Sequence, residues 1–316
     1  MKANFFVIES PLQACSAIKV GNTIDGLNWF LVRLNGEVKN DQLIKEAFHG
    51  SRFHGNVFFF KCKKGNKINI ISLIVKCYFF CISKHPVNNR IFIGHWHSIW
   101  MRVLAYLLNA RNVNVLDDGL ATLDALNRLE SSLNKPSFHK IKMLLYPTFY
   151  SSFADESTYQ KLFKLARNEK KTGKRDDEFA IIIGSPLVEK GILTESNYNI
   201  YFENMISYAS EHYNTILYIP HRAEYMYEKK LGSISSITIK NIDVSIEQYI
   251  YKLNILPGAV ISFYSTALVN ISNEYDDIKC ISIVIKLDDI NSKFKDRVNE
   301  AYVYFSKNNK IEMMEI

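Results

Sequence analysis

"RIFIGHWHSIWMRVLAYLLNARNVNVLDDGLA", residues 90–121, holds two apolar runs on either side of one amphipathic segment. "RIFIGHW" (90–96) and "NVNVLDD" (112–118) have the composition of strands, and residues 98–109 carry the apolar spacing of a helix. Strand, helix and strand in that order predict a βαβ unit with parallel strands. Each strand runs into polar residues at its carboxyl end, Gly94-His95-Trp96-His97 after the first and Asp117-Asp118-Gly119 after the second. Adjacent carboxylates repel and are expensive to bury. Asp and Gly equally suit a solvated turn. The tripeptide alone therefore leaves open both a turn and a catalytic carboxylate mounted on a strand end.

The same alternation extends outward. Strand-like runs at 4–10, 28–34 and 56–62 precede it, with helical patterns near 11–20, 39–47 and 66–83. The strands are almost continuously apolar, as expected where helices cover both faces of a parallel sheet. Residues 151–177 turn polar and end in a charge run, which predicts a linker. Beyond it strands at 179–185, 215–221, 236–241, 259–265 and 280–286 alternate with helices near 197–212, 222–231, 245–253 and 266–274. The expectation is an α/β protein of two doubly wound, Rossmann-like domains, residues 1–150 and 178–316, with an interdomain cleft. A length of 316 residues agrees with two domains of about 150 each.

Composition narrows the function. Hydrophobic residues make up 47% and charged residues 22%, which argues for a folded globular chain. A net charge of +7 and a pI of about 8.9 suit an anionic substrate, an anionic membrane surface or nucleic acid. Nucleic acid fits least, because the lysines are dispersed and no binding signature occurs. Cys15, Cys62, Cys77, Cys81 and Cys280 have neither paired nor zinc-type spacing, so they are expected to be reduced core residues of a cytosolic protein. The N-terminal apolar run is too short for a signal peptide, and "INIISLIVKCYFFCIS" (68–83) falls short of a spanning helix. Residues 58–81 and 138–150 are basic and aromatic enough to lie against a membrane surface or to form core helices.

Ligands of open α/β sheets sit beyond the carboxyl ends of strands. Those ends carry Glu9, Ser10 and Gln13, then His95 and His97, then Asp117 and Asp118 in the first half. The second half offers Gly184-Ser185-Pro186, Pro220-His221-Arg222 and the run Ser262-Phe263-Tyr264-Ser265-Thr266. Gly-Ser loops, a His-Arg pair and hydroxyls opening a helix can all address a phosphate. Ser265 and Thr266 can equally be plain helix caps. No GxGxxG follows the first strand and no GxxxxGK[ST] occurs, so a dinucleotide-binding Rossmann enzyme and a P-loop NTPase are poor fits. No HExxH or comparable ligand cluster argues for a metal cofactor.

The order Asp-Asp-Gly at 117–119, a strand-end His221, then Ser265-Thr266 resembles the bacterial sialyltransferases that build lipooligosaccharides, O-antigens and capsules, polysialyltransferases among them. "FFVIESPLQACSAI" and "IIIGSPLVEKGILT" are similar to that family's first strand-loop and to the opening of its nucleotide domain. The resemblance implies a GT-B architecture and a metal-independent, inverting transfer from CMP-sialic acid to a sugar hydroxyl such as galactose. It implies Asp117 as general base with Asp118 its neighbour, and His221, Ser265 and Thr266 on the donor phosphate. Glu247 is implied on the cytidine ribose, with Gly184, Ser185 and Ser262 nearby. Ser10, Gln13, His95 and His97 fall on the acceptor side. It also implies a glycan or lipid-linked acceptor, no nucleic acid, a peripheral place on the inner face of the cytoplasmic membrane, and admits a homodimer. The family's His-Pro is His221-Arg222 here, and the arginine adds a charge for phosphate or the donor carboxylate, or signals another nonulosonic acid. Two other readings stand beside it: a UDP-sugar transferase or epimerase of the same fold, and a non-catalytic partner in glycan synthesis.

Overall fold

The computed structural model describes residues 2–63, 67–84, 89–108, 113–133, 147–151, 162–164, 172–225, 227, 231, 237–307 and 309–316. The chain divides into two compact units, Met1–Ala166 and Arg167–Ile316. Each is built on its own parallel sheet.

The first unit runs β1 (Ala3–Ile8), α1 (Pro11–Thr23), β2 (Leu27–Leu34), α2 (Val38–His49), β3 (Val57–Lys61), α3 (Lys67–Lys84), β4 (Asn89–Ile93), α4 (Ile99–Leu107), β5 (Val113–Val115), α5 (Leu120–Leu133), β6 (Thr148–Ser151) and β7 (Leu162–Lys164). Its seven strands stand in the order β3-β2-β1-β4-β5-β6-β7. Residues of β1 alternate between the two faces of the sheet. Phe6 and Ile8 join Ala14, Ala17 and Val20 of α1 and Ile44 and Phe48 of α2 on one face. Phe5 and Val7 join Leu73 and Cys77 of α3, Trp100 and Met101 of α4 and Leu126 of α5 on the other. The connections change face between β1 and β4, and that change opens a crevice at the carboxyl ends of these two strands.

Under α1 and α2 lies an aromatic ladder. Parallel register sets Phe6 against Phe30 of β2 and Phe92 of β4. The rings stack with centroids 4.7 and 4.6 Å apart. Phe6→Ala is expected to lower unfolding free energy by about 3–5 kcal/mol in a urea titration, because the neighbouring rings are held by the two flanking strands and cannot close the cavity.

The second unit runs β8 (Arg175–Ile183), α6 (Glu195–His212), β9 (Thr215–Ile219), β10 (Ile237–Ile239), α7 (Ile246–Tyr251), β11 (Leu256–Ser262), α8 (Thr266–Glu274), β12 (Lys279–Val284), α9 (Ser292–Lys307) and β13 (Ile311–Glu315). The sheet order is β10-β9-β8-β11-β12-β13. Counted from β8 this is the doubly wound order 3-2-1-4-5-6, with its crevice between β8 and β11.

The α/β class and two parallel, doubly wound sheets agree with the patterning. β7 lies inside 151–177, so part of the segment expected as linker is a strand of the first sheet. Of the helix expected at 222–231, residues 222–225 form a turn and loop instead, held by Glu224, while residues 226 and 228–230, like most of 138–150, lie outside the described residues. Cys62, Cys77, Cys81 and Cys280 are buried free thiols and Cys15 is half-buried. Burial pushes the Cys77 and Cys280 thiols up to about 12, so both pack as small apolar groups. Among the described residues no helix is long and apolar enough to cross a membrane.

Candidate functional site

In the first unit the polar side chains gather where β1, β4 and β5 end side by side. Ser10 caps α1, its hydroxyl accepting from Gln13 N at 3.3 Å, and Pro11 takes a first-turn position that needs no donor. The same hydroxyl donates to Asp118 Oδ1 at 3.4 Å. His95 Nδ1, in the loop after β4, stands 2.9 Å from Asp118 Oδ2. Asp118 thus joins all three strand ends.

The two aspartates diverge. Asp117 is 6% exposed, its N–H donating to Ser16 Oγ at 3.0 Å and its Oδ1 accepting from Gly119 N at 3.2 Å. Asp118 is half-buried and its N–H donates to Thr122 Oγ1 at 2.7 Å. Gly119 has φ +67°, a left-handed turn that suits glycine and bends the chain into α5. Both carboxylates precede the N-terminus of α5, whose dipole favours negative charge. The backbone donor at Gly119, His95 and the helix start together explain how two adjacent acids are tolerated.

The surrounding residues brace this corner. Glu9 Oε2 accepts from Arg33 at 2.9 Å and from the Trp100 indole at 3.1 Å. Gln13, assigned to the acceptor side, has a structural task here. It is buried, its Oε1 accepts from Glu9 N at 2.9 Å, and a Cβ on Gly94 would lie 2.1 Å from that oxygen. Gln13 packs β1 against β4. His97 Nε2 lies 3.2 Å from Asp124 Oδ2, and Arg128 Nε holds the other oxygen at 2.6 Å. Burial lowers the His97 pKa below its ordinary value, against the pull of Asp124. Patterning had not singled out Asp124; its signal was the i,i+4 pair with Arg128 on one helix face. Among the described residues no group of three or more His, Cys, Asp or Glu is placed to hold a metal ion.

In the second unit β9, β8 and β11 are neighbours, and their ends bring Gly184-Ser185, His221 and Ser265-Thr266 to one edge of the sheet. Ser265 caps α8, accepting from Ala267 N at 3.3 Å. His221 Nδ1 accepts from Ala223 N at 3.1 Å, which fixes the neutral tautomer with the proton on Nε2. Burial, with Lys190 and Arg222 adding to it, depresses the His221 pKa to about 3. Arg222 itself is exposed.

The residue that organises this edge escaped the patterning. Glu224 is buried; its Oε1 accepts from Tyr198 and Tyr218 hydroxyls at 2.8 and 2.7 Å, and its Oε2 accepts from His221 N at 3.1 Å. Gly184 is glycine for this reason, since a Cβ there would stand 2.0 Å from Glu224 Oε2. Ser262 has a structural task too. It is fully buried and its hydroxyl donates its one proton to Ile183 O at 2.9 Å, tying β11 to β8 beneath the sheet edge. Glu247, at the start of α7, accepts from Asn270 Nδ2 of α8 at 2.7 Å.

The depressed His221 pKa sets a pH dependence. The native histidine stays neutral down to about 3, while the unfolded chain takes up a proton near 6.5. The stability this site contributes is complete above about 6.5 and is lost as pH falls from there towards about 3. His221→Asn is therefore expected to flatten the fall in melting temperature on acidification, measured by calorimetry across that window.

No protein-family model matches the chain, and no curated protein matches it. Solved structures do. The UDP-GlcNAc 2-epimerase of Methanocaldococcus jannaschii, in complex with UDP-GlcNAc and UDP, superposes with a TM-score of 0.53 at 12% identity over 100% of this chain and 89% of that one. S. aureus MnaA with UDP gives 0.54 at 10% identity over 97% and 88%. The UDP-N-acetylglucosamine 2-epimerase of Rickettsia bellii gives 0.51 at 12% over 93% and 81%. At such identity the likeness is one of fold. The chain has the GT-B fold, two Rossmann-like domains in tandem.

Proposed function

We propose that the protein is an inverting glycosyltransferase that moves a nonulosonic acid, sialic acid in the first instance, from its CMP donor to a hydroxyl of a bacterial surface glycan. The observation that carries it is the set at the ends of β9, β8 and β11. A neutral imidazole with its proton on Nε2 follows β9, a Gly-Ser loop follows β8, and Ser265 and Thr266 open the helix after β11, three strands that are neighbours in the sheet. Such a set suits a phosphate whose charge grows as CMP departs. A permanently charged histidine would bind the ground-state donor as strongly, whereas a neutral donor group aimed at developing charge favours the transition state.

In this reading Asp117 takes the proton from the acceptor hydroxyl. The freed oxygen attacks the anomeric carbon as the bond from that carbon to the CMP phosphate oxygen breaks, and the electron pair leaves with CMP. One displacement inverts the anomeric centre. His221, Ser265 and Thr266 hold the leaving phosphate, Ser185 lies at the loop beside it, and Glu247 takes the ribose. His95, His97 and Ser10 line the acceptor end. No metal is assigned a part. Arg222 is the residue that would meet the donor carboxylate.

A second reading rests on the same fold: the solved structures named above are UDP-GlcNAc 2-epimerases or carry UDP. The two separate by ligand. CMP-sialic acid with a panel of galactosides, in EDTA, should release CMP and form a sialylated product, and CMP should raise the melting temperature more than UDP. Stabilisation by UDP alone, with no CMP release, would move the assignment to a UDP-sugar enzyme.

A further inference from the structure

Residues 47–116 contain no Asp or Glu and ten Lys or Arg, more positive charge than the whole chain's net +7. The basic excess is thus concentrated in one segment, which includes both α3 and α4. These two helices lie side by side on one face of the first sheet. Each buries a stripe there, Leu73, Cys77 and Cys81 from α3 and Trp100, Met101 and Leu104 from α4.

The opposite stripe should be polar on a water-facing helix. Instead Ile71, Val75 and Phe79 follow one another at spacing four along the outer side of α3. Ile99, Val103 and Tyr106 do the same on α4 at spacings four and three. All six are between 40% and 72% exposed. Lys76, Lys84 and Arg102 are exposed among them. Arg102 lies 5.7 Å over the Trp96 ring and Lys84 lies 4.8 Å over the Trp29 ring, so their stems follow apolar surface.

We propose that this α3–α4 face docks on an anionic lipid bilayer, with the apolar stripes entering the headgroup boundary and the cations meeting lipid phosphates. Neither helix is long and apolar enough to cross, so the face lies on the membrane. Charge complementarity selects lipid over a second copy of the chain, since a two-fold dimer through this face would set the same cations against each other, and neither α3 nor α4 carries an acid to balance them. The loop with His95 and His97 leads directly into α4. Docking would therefore hold that end of the first unit at the bilayer, where a lipid-linked acceptor is presented. The docking itself does not depend on the donor assigned above.

Co-sedimentation of the full chain with vesicles tests it without any substrate. Wild type should pellet with phosphatidylcholine–phosphatidylglycerol vesicles, bind pure phosphatidylcholine weakly, and release as salt approaches about 1 M, where the screening length is about 3 Å. Ile71→Ser with Phe79→Ser, and separately Lys76→Glu with Arg102→Glu, should each weaken binding roughly tenfold or more. All four side chains point outward, so circular dichroism and melting should match wild type. Failure of wild type to pellet with anionic vesicles, or unchanged binding by both folded variants, overturns the proposal. So does a wild-type dimer in solution that the double serine variant converts to monomer, which would make the face a self-interface.

Discussion

Asp117→Asn is expected to lower sugar transfer by about 10²- to 10⁴-fold, the range for removal of a positioned general base. Single-turnover release of CMP in the presence of acceptor measures it. Asparagine is nearly isosteric and keeps an oxygen for Gly119 N, so the turn into α5 should survive and the melting temperature should change little. Asp118→Asn provides the comparison. It weakens the pairing with His95 while sparing the buried carboxylate, and should cost less in turnover than Asp117→Asn. The reverse ranking would transfer the base to Asp118 acting with His95, a carboxylate–imidazole pair already within 2.9 Å. Equal and small losses from both would remove the carboxylates from the chemistry and leave Asp-Asp-Gly as a turn.

The paired acids and the strand-end histidine stood out in the sequence because each follows an apolar run that can hardly be anything but a parallel strand. The alternation also gave the two sheets, since continuous apolar strands leave few other arrangements. What joins those ends was not legible. Asp118 and His95 sit on different strands, and only the order β1-β4-β5 makes them neighbours. Gln13 and Ser262 looked like ligands because polar residues after strands often are. Both satisfy backbone groups, Glu9 N and Ile183 O, whose need depends on packing. β6 and β7 are short and lie beside polar sequence, so no periodicity marked them. Glu224 was hidden in a segment with helical composition, and its partners Tyr198 and Tyr218 come from α6 and β9.

Glu224→Ala should destabilise the second unit by about 3–5 kcal/mol, because two buried phenols and the His221 N–H would lose their acceptor together. Glu224→Gln should cost much less. Its carbonyl can still accept from His221 N, and the tyrosine hydroxyls can turn to accept from the amide. Burial, opposed by those hydroxyls, raises the Glu224 pKa above its ordinary 4.5. The native state therefore holds its proton to higher pH than the unfolded chain, and the stability from this group falls as pH rises through the window above 4.5. The glutamine variant should lose that dependence. Gly184→Ala gives an independent check, because its Cβ would collide with Glu224 Oε2 and force the carboxyl from its donors. In the Glu224→Ala background the part of that cost owed to the carboxyl should vanish, a coupling readable in a double-mutant cycle, while the Tyr218 hydroxyl, 2.7 Å from the same Cβ, accounts for what remains. Additive costs would mean that Gly184 is needed for some other contact, and that the Gly-Ser loop and His221 are not held together by Glu224.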